Sequence, residues 1–378
     1  VDFSYSEEQQ MLQDSVQKFV ASQYDFETRC KVLEKEGGYD KANWELFAEL
    51  GWLTVPFREE DGGFSGSAVD LMVVMEEFGR GLVVEPFLAT AVLAGGLISA
   101  LGSDAQKSEL LATIMEGKAQ LATAYAEPDS RYNLASVKTT AVRQGEEFVL
   151  NGDKVVVLNA PNAAQIIVTA RTSGESGDRD GISAFLVDSQ AAGVTLRSYA
   201  TVDGQQAAEV HLKDVKVTSA NLLGEEGKAL PALEQTIDQA TVAICSEAVG
   251  AMDSLLSKTV EYAKTRKQFG VPIGTFQALQ HRMAEMFIDC QLARSIVIMA
   301  AMKLDSNESA EQKAKAVSAA KSQVGRAIRK VGQEAVQIHG GIAVTDELDV
   351  GHYFKRVTAI EHQFGTTDYH TRRYARLA

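Results

Sequence analysis

Arg266 closes a long segment of helical period, and the residues after it, "KQFGVPIGTFQ", turn the chain and begin another. Phe269 and Gly270 make the turn, Pro272 stiffens the loop, and a new helix is expected from about Thr275. Such a corner sets a guanidinium beside exposed backbone N–H groups, an arrangement suited to a diphosphate. The same residues also fit a plain helix–helix turn whose basic groups complement a C-terminal dipole. Glu247 offers a second kind of chemistry. Its predicted helix carries Ile244, Cys245, Ala248, Val249 and Met252 around it. A glutamate on so apolar a face is paired, functional or shifted in pKa, so a general base and an interhelical hydrogen bond both fit.

Other chemistries find no support. The six histidines show no ligand spacing, with His362 and His370 too far apart for a helical pair, and no metal site is expected. No Gly-x-Ser-x-Gly elbow is present. Cys30, Cys245 and Cys290 show no paired spacing, which suits a reduced, cytoplasmic setting. A formal net charge of −14 argues against nucleic acid or an anionic membrane as the main partner. The opening "VDFSYSEEQQ" has neither a basic start nor an apolar run, so no secretory signal is expected. The apolar stretch 87–102 is too short for a membrane span and reads as a buried helix.

The elements that must hold these residues fall into three zones, and 378 residues is too long for one ordinary core. Residues 1–118 alternate helical periods with short breakers. Ser6 begins an amphipathic helix with a Leu12–Val16–Phe19–Val20 stripe, and Ser103 and Gly117 bound another. From 119 to 222, β-branched residues alternate between turns such as "QGEE" and "NGD", the pattern of an all-β module. From 223 to 378 the segments 232–264, 275–304 and 310–339 are each long enough for a bundle helix. The expected fold is α+β and multidomain: an N-terminal helical domain, a middle β-barrel or sandwich, and a C-terminal four-helix bundle.

The stretch 262–286 resembles the signature of the acyl-CoA dehydrogenase family, in which Arg-x-x-Phe-Gly-x-x-Ile and a following Phe-Gln grip FAD at a dimer interface. The resemblance spans the whole chain, including the zone order. It implies that Arg266, Phe269, Ile273, Phe276 and Gln277 hold the diphosphate and adenosine of FAD. "QIHGG" looks like the family's Gln-x-x-Gly-Gly segment, so Gln337, Gly340 and Gly341 would contribute from the neighbouring subunit, with Thr366 beside the cofactor. Paired glycines permit that close backbone approach. "YAEPDSRYNLASVKT" resembles the loop that reaches the flavin ring. Glu127, Pro128, Lys138 and Thr139 match it, and Tyr125 and Ala126 would line the ring. Ala126 stands in place of a threonine, and Asp129 to Tyr132 replace small residues, with Tyr132 near the substrate. Val156 and Leu158 take the places of the family's Trp-x-Thr beside the isoalloxazine, and Asn159 is retained. Asp238 matches a contact to the CoA pantetheine arm. The apolar Ile244–Ala248 face and the loss of tryptophan at Val156 suggest a roomy pocket.

The resemblance implies FAD-dependent α,β-dehydrogenation of an acyl-CoA, which needs a carboxylate to take the α proton while hydride leaves for the flavin. The family's usual turn is Tyr-Glu-Gly-Thr, and here "QFGT" puts Phe364 at the glutamate. The family's other position for the base falls on Ala240. Glu247, about two helical turns further on, is then the candidate base. Phe364 is expected to close a pocket wall, and Glu361 and Asp368 to be solvated charges. An electron-transfer flavoprotein or similar acceptor is implied, as is a homodimer, homotetramer or hetero-oligomer. The form is similar to small subunits of heteromeric members, of the kind named for pimeloyl-CoA. Two alternatives remain open: a catalytically silent partner subunit, or a same-fold oxidase or desulfinase.

Overall fold

The computed structural model of the chain describes residues 5–377. Helices α1 (Glu7–Gln23), α2 (Phe26–Leu33), α3 (Lys41–Glu49), α4 (Ala68–Gly81), α5 (Gly95–Leu101) and α6 (Asp104–Met115) precede the main strands. Helices α7 (Leu230–Thr265), α8 (Gln277–Leu304), α9 (Ala310–His339), α10 (Asp349–His362) and α11 (Thr367–Arg376) follow them. The helical segments expected from periodicity at 232–264, 275–304 and 310–339 coincide with α7, α8 and α9 to within a few residues. The caps are as expected too. Ser6 and Ser103 each form a capping box, with Gln9 and Gln106 as the reciprocal partners. Gly117 leaves α6 in the left-handed region at φ 69°.

By its contacts the chain divides into two compact units that cut across the three zones. One unit comprises Val32–Ser67 and Val84–Ala240. Its strands are β1 (Leu121–Ala124), β2 (Thr140–Gln144), β3 (Glu147–Leu158), β4 (Gln165–Arg171), β5 (Ile182–Asp188), β6 (Val194–Ala200), β7 (Gln206–Thr218) and β8 (Leu222–Leu223). They form one sheet in the order β6-β7-β3-β2-β4-β5-β8, with β1 parallel to β4. β4 and β5 are buried on both faces, so neither shows the alternation of a half-exposed strand. Phe148 and Phe185 pack their rings 4.9 Å apart at the centre of this core. The apolar run beginning at Phe87 forms a π-helix, Leu88–Ala94, which runs into α5; its residues are buried, as expected.

The other unit comprises the residues through Lys31, Ala68–Val83 and the chain from Thr241 onward. Here α4 and α7 cross at glycines. A Cβ on Gly79 would lie 1.9 Å from the Glu247 carbonyl oxygen, and one on Gly250 would lie 1.8 Å from that of Glu76. Only hydrogen fits at either position. Glu76, Arg80, Asp253 and Arg294 form an ion network over the same crossing. Asp305 caps α4 from a distance, accepting from the Ala68 and Val69 N–H groups. α7 is long and apolar enough to cross a membrane, but 78 % of its apolar window is buried against the rest of the chain.

Candidate functional site

The Arg266 corner is a miniature hairpin. α7 ends at Thr265, Lys267–Gln268 pairs antiparallel with Val271–Pro272, and Phe269 and Gly270 form the turn at φ 56° and 82°. Two positive φ values in a two-residue turn match a type I′ hairpin. The phenylalanine is strained there, and its ring is 93 % exposed. Ile273 is buried beneath and donates its N–H to the Arg266 carbonyl (2.8 Å). Among the described residues, no side-chain hydrogen bond or ion pair engages the Arg266 guanidinium, and it is exposed. Phe276 is the N-cap of α8 and provides no side-chain acceptor, while Gln277 begins the helix, exposed. An unneutralised guanidinium therefore stands near an uncapped helix N-terminus in a chain of net charge −14.

The glycine segment lies on the same edge. α9 ends at His339, and Gly340 follows at φ 70°, ψ −147°, a conformation open to glycine. No atom lies within 4 Å of a Cβ built on Gly340 or Gly341, and both are exposed, as is Gln337. The Tyr262 ring, one turn before Arg266, stacks on the His339 imidazole at 4.4 Å and 27°. One chain therefore holds the corner and the glycine segment together. The stack fixes only how the two segments sit within one chain. A free guanidinium, open N–H groups and a glycine cradle suit a diphosphate, so these residues fit FAD.

In the sheet-containing unit, the loop 125–132 is held from below. The Glu127 carboxylate accepts from the N–H groups of Lys138 (2.7 Å) and Thr139 (3.1 Å) and from Lys154 Nζ (2.7 Å). Burial works against the Glu127 charge, but Lys154 and these donors outweigh it and keep its pKa below the usual range. Burial pushes the fully enclosed Lys154 ammonium down to about 8, against the pull of Glu127. The Val155 N–H donates to the Ala126 carbonyl (2.9 Å), tying the loop to a bulge in β3. Val156 sits in that bulge at φ 51°, an outlier for a β-branched residue, with its side chain 55 % exposed. Leu158, Tyr125, Ala126 and Tyr132 are half-buried, and Asp238 is buried on α7. Lys154 went unremarked in the sequence. Its signal was a lysine within an otherwise β-branched run.

The turn that carries Phe364 is held just as firmly. Lys321, fully buried on α9, donates to the carbonyls of Ile360 (2.8 Å), Glu361 (3.1 Å) and Gly365 (2.8 Å). His370 Nε2 donates to the Phe364 carbonyl (3.0 Å). Thr366 caps α11 through the Tyr369 N–H (3.3 Å). Phe364 adopts φ 57° and is 8 % exposed, so its ring is packed into the protein. Glu361 is not the solvated charge expected from its polar neighbours. It is buried and accepts from the Thr367 N–H and from Arg329, and its other oxygen faces Gly325 of α9. Asp368 is exposed, as expected.

Glu247 is committed elsewhere. Its two oxygens accept from Arg356 Nε (2.5 Å) and Nη2 (2.6 Å), and the two residues are 4 % and 3 % exposed. A bidentate guanidinium engages both carboxylate oxygens and holds them in the protein interior, away from a substrate's α proton. This geometry favours the structural alternative over the base. The surrounding Ile244, Cys245 and Ala248 are fully buried, so this face is packed core and not the wall of a roomy pocket.

Comparison with known proteins places the whole chain in one family. The N-terminal, middle and C-terminal domain families of acyl-CoA dehydrogenase match residues 6–118, 122–215 and 230–378. The chain is 31% identical to a probable acyl-CoA dehydrogenase, YngJ, of Bacillus subtilis, over 97% of each chain. It is 30% identical to the caffeyl-CoA reductase-Etf complex subunit CarC of Acetobacterium woodii, over 93% of each. The solved ChsE4–ChsE5 complex of Mycobacterium tuberculosis is similar in structure, with a TM-score of 0.89 at 25% identity, over 100% of this chain and 98% of that one. The chain belongs to the acyl-CoA dehydrogenase family.

Proposed function

We propose that this chain holds FAD in an acyl-CoA dehydrogenase and that the carboxylate taking the α proton comes from outside the three positions where this chain could offer it. The observation that carries the reading is the free Arg266 guanidinium beside the uncapped start of α8, on the edge that also presents Gly340 and Gly341. When bound, FAD supplies the hydride acceptor for dehydrogenation at the α and β carbons of the thioester. Arg266 would neutralise the diphosphate, with the exposed Phe269 and Gln277 beside the adenosine and Gln337 at the glycine turn. The sheet-containing unit, taken by itself, offers the Ala126 and Glu127 backbone and Leu158 to a flavin ring and Tyr132 and Asp238 to an acyl-CoA. Leu158 has no hydroxyl to donate, so this chain provides less hydrogen bonding there than a threonine would.

The base is where the chain departs from a self-sufficient dehydrogenase. Phe364 cannot take a proton, Glu247 is paired with Arg356, and Glu361 faces into α9. A second subunit then has to provide it, which favours a hetero-oligomer over a homodimer or homotetramer. That the similar ChsE4–ChsE5 structure is a complex of two chains supports this. Phe287, Ile288 and Leu292 are exposed on α8, with Val344 exposed near the glycine turn, and they suit a subunit contact. An electron-transfer flavoprotein as acceptor is in keeping with the Etf complex of the Acetobacterium relative. The buried thiols Cys245 and Cys290 fit a reducing, cytoplasmic setting.

Arg266→Ala tests the flavin assignment. It removes a charge-assisted contact worth about 1.5–3 kcal/mol, or roughly a 10- to 150-fold weakening of FAD binding. Titration of flavin-stripped protein, followed by flavin fluorescence, reads this directly. Unchanged affinity in Arg266→Ala would remove the diphosphate from this corner.

A further inference from the structure

The two segments that would grip the diphosphate lie at the ends of different helices, Arg266 just past α7 and Gly340–Gly341 just past α9. We infer that Tyr262 and His339 form the joint that sets the spacing between them, which makes both positioning residues for the diphosphate. The inference rests on the reading of this edge as the flavin site.

Tyr262 is bonded to both segments at once. Its carbonyl accepts the Arg266 N–H (2.8 Å), fixing where the arginine leaves the helix. Its hydroxyl donates to the His339 carbonyl (3.3 Å), the peptide that leads into Gly340. Its ring lies over the imidazole at 4.4 Å. The imidazole cannot swing away, because Nδ1 sits 2.8 Å from the Ala335 carbonyl oxygen one turn back and must carry the proton that bonds there. His339 is buried, whereas the residues on either side of the joint, Arg266 and Gly340, are exposed. The outer groups are therefore free to meet a ligand while the inner pair is fixed. Gly340 has no neighbour within 4 Å of its Cβ direction, so the turn is open on the side a ligand would approach. Ligand sites gain affinity from such supporting contacts because the binding groups are pre-set at their working distance.

The test uses the whole purified chain, stripped of flavin, titrated with FAD, ADP and FMN, with thermal unfolding measured in parallel. Tyr262→Leu removes stack and hydroxyl, His339→Leu removes the stack from the other side, and Tyr262→Phe keeps the ring alone. In Tyr262→Leu and His339→Leu, FAD and ADP should bind at least about tenfold more weakly, while FMN, which lacks the AMP half and keeps one phosphate, is weakened much less. Tyr262→Phe should recover most of the loss. Equal affinities for FAD in wild type and Tyr262→Leu would overturn the joint. So would equal weakening of FMN and ADP, or loss of folding in both leucine variants, since either would make the pair an ordinary core contact. Failure of the wild type to bind FAD or ADP at all would instead defeat the underlying flavin reading.

Discussion

Arg356→Leu should destabilise the protein by about 3–5 kcal/mol, because it leaves the Glu247 carboxylate charged, buried and unpaired. Both residues are almost wholly enclosed, and the carboxylate's two short bonds come from the same guanidinium. Glu247→Gln should be destabilising too, since the amide cannot accept at both positions and its NH2 group would face the arginine. The paired change Glu247→Leu with Arg356→Leu should cost much less than the sum of the single changes, because no charge is stranded. Denaturant unfolding of the wild type, Glu247→Leu, Arg356→Leu and the double leucine variant gives this cycle. Additive costs would mean that the pair is not the coupled unit its geometry describes.

Acid should destabilise the unit that carries the Phe364 turn through His370. Burial, with the charge of Lys321 nearby, pushes His370 down to about 3, far below the usual 6.5. The folded state therefore keeps this ring neutral while the unfolded chain protonates near pH 6.5. Its contribution to stability is complete above that pH and is lost progressively as pH falls from 6.5 toward 3. The total is of order several kcal/mol. The groups around the ring agree with a neutral form: Lys321 and Arg373 are cationic, Ser318 lies 3.4 Å from Nδ1, and Nε2 donates to the Phe364 carbonyl. His370→Gln should flatten the decline between pH 6.5 and 4 while lowering stability at pH 8. Parallel pH profiles for the two proteins would contradict the assignment.

Much of the fold was legible because its signals are local. The periodicity of α7, α8 and α9, the serine caps of α1 and α6, and the β-branched alternation after residue 119 each lie within a few residues of what they determine. The diphosphate corner was legible for the same reason, since Arg266, Phe269 and Gly270 are contiguous. What could not be read depends on distant partners. Glu247 and Arg356 are 109 residues apart, and nothing around Glu247 indicates which of its possible roles holds. Glu361 sits in a polar string and is nonetheless buried, because α9 brings Lys321 and Gly325 against the end of α10. Lys154 and Glu127 became a pair only once β3 and the loop were in place. The placement of the arginine corner and glycine turn within one chain came from the Tyr262–His339 stack, which no spacing in the sequence encodes.

The account rests on a flavin held by this chain without a base of its own at Phe364, Glu247 or Glu361. Anaerobic mixing of the flavin-loaded chain with acyl-CoAs of short, medium and long chain and with ring-bearing ones, followed by flavin absorbance, tests this most directly. The account predicts that the chain purified alone keeps its oxidised spectrum with every substrate and that bleaching appears when the second subunit is added. Rapid bleaching of the pure chain by any of these acyl-CoAs would contradict it, above all if Glu247→Gln, still folded, abolished that bleaching.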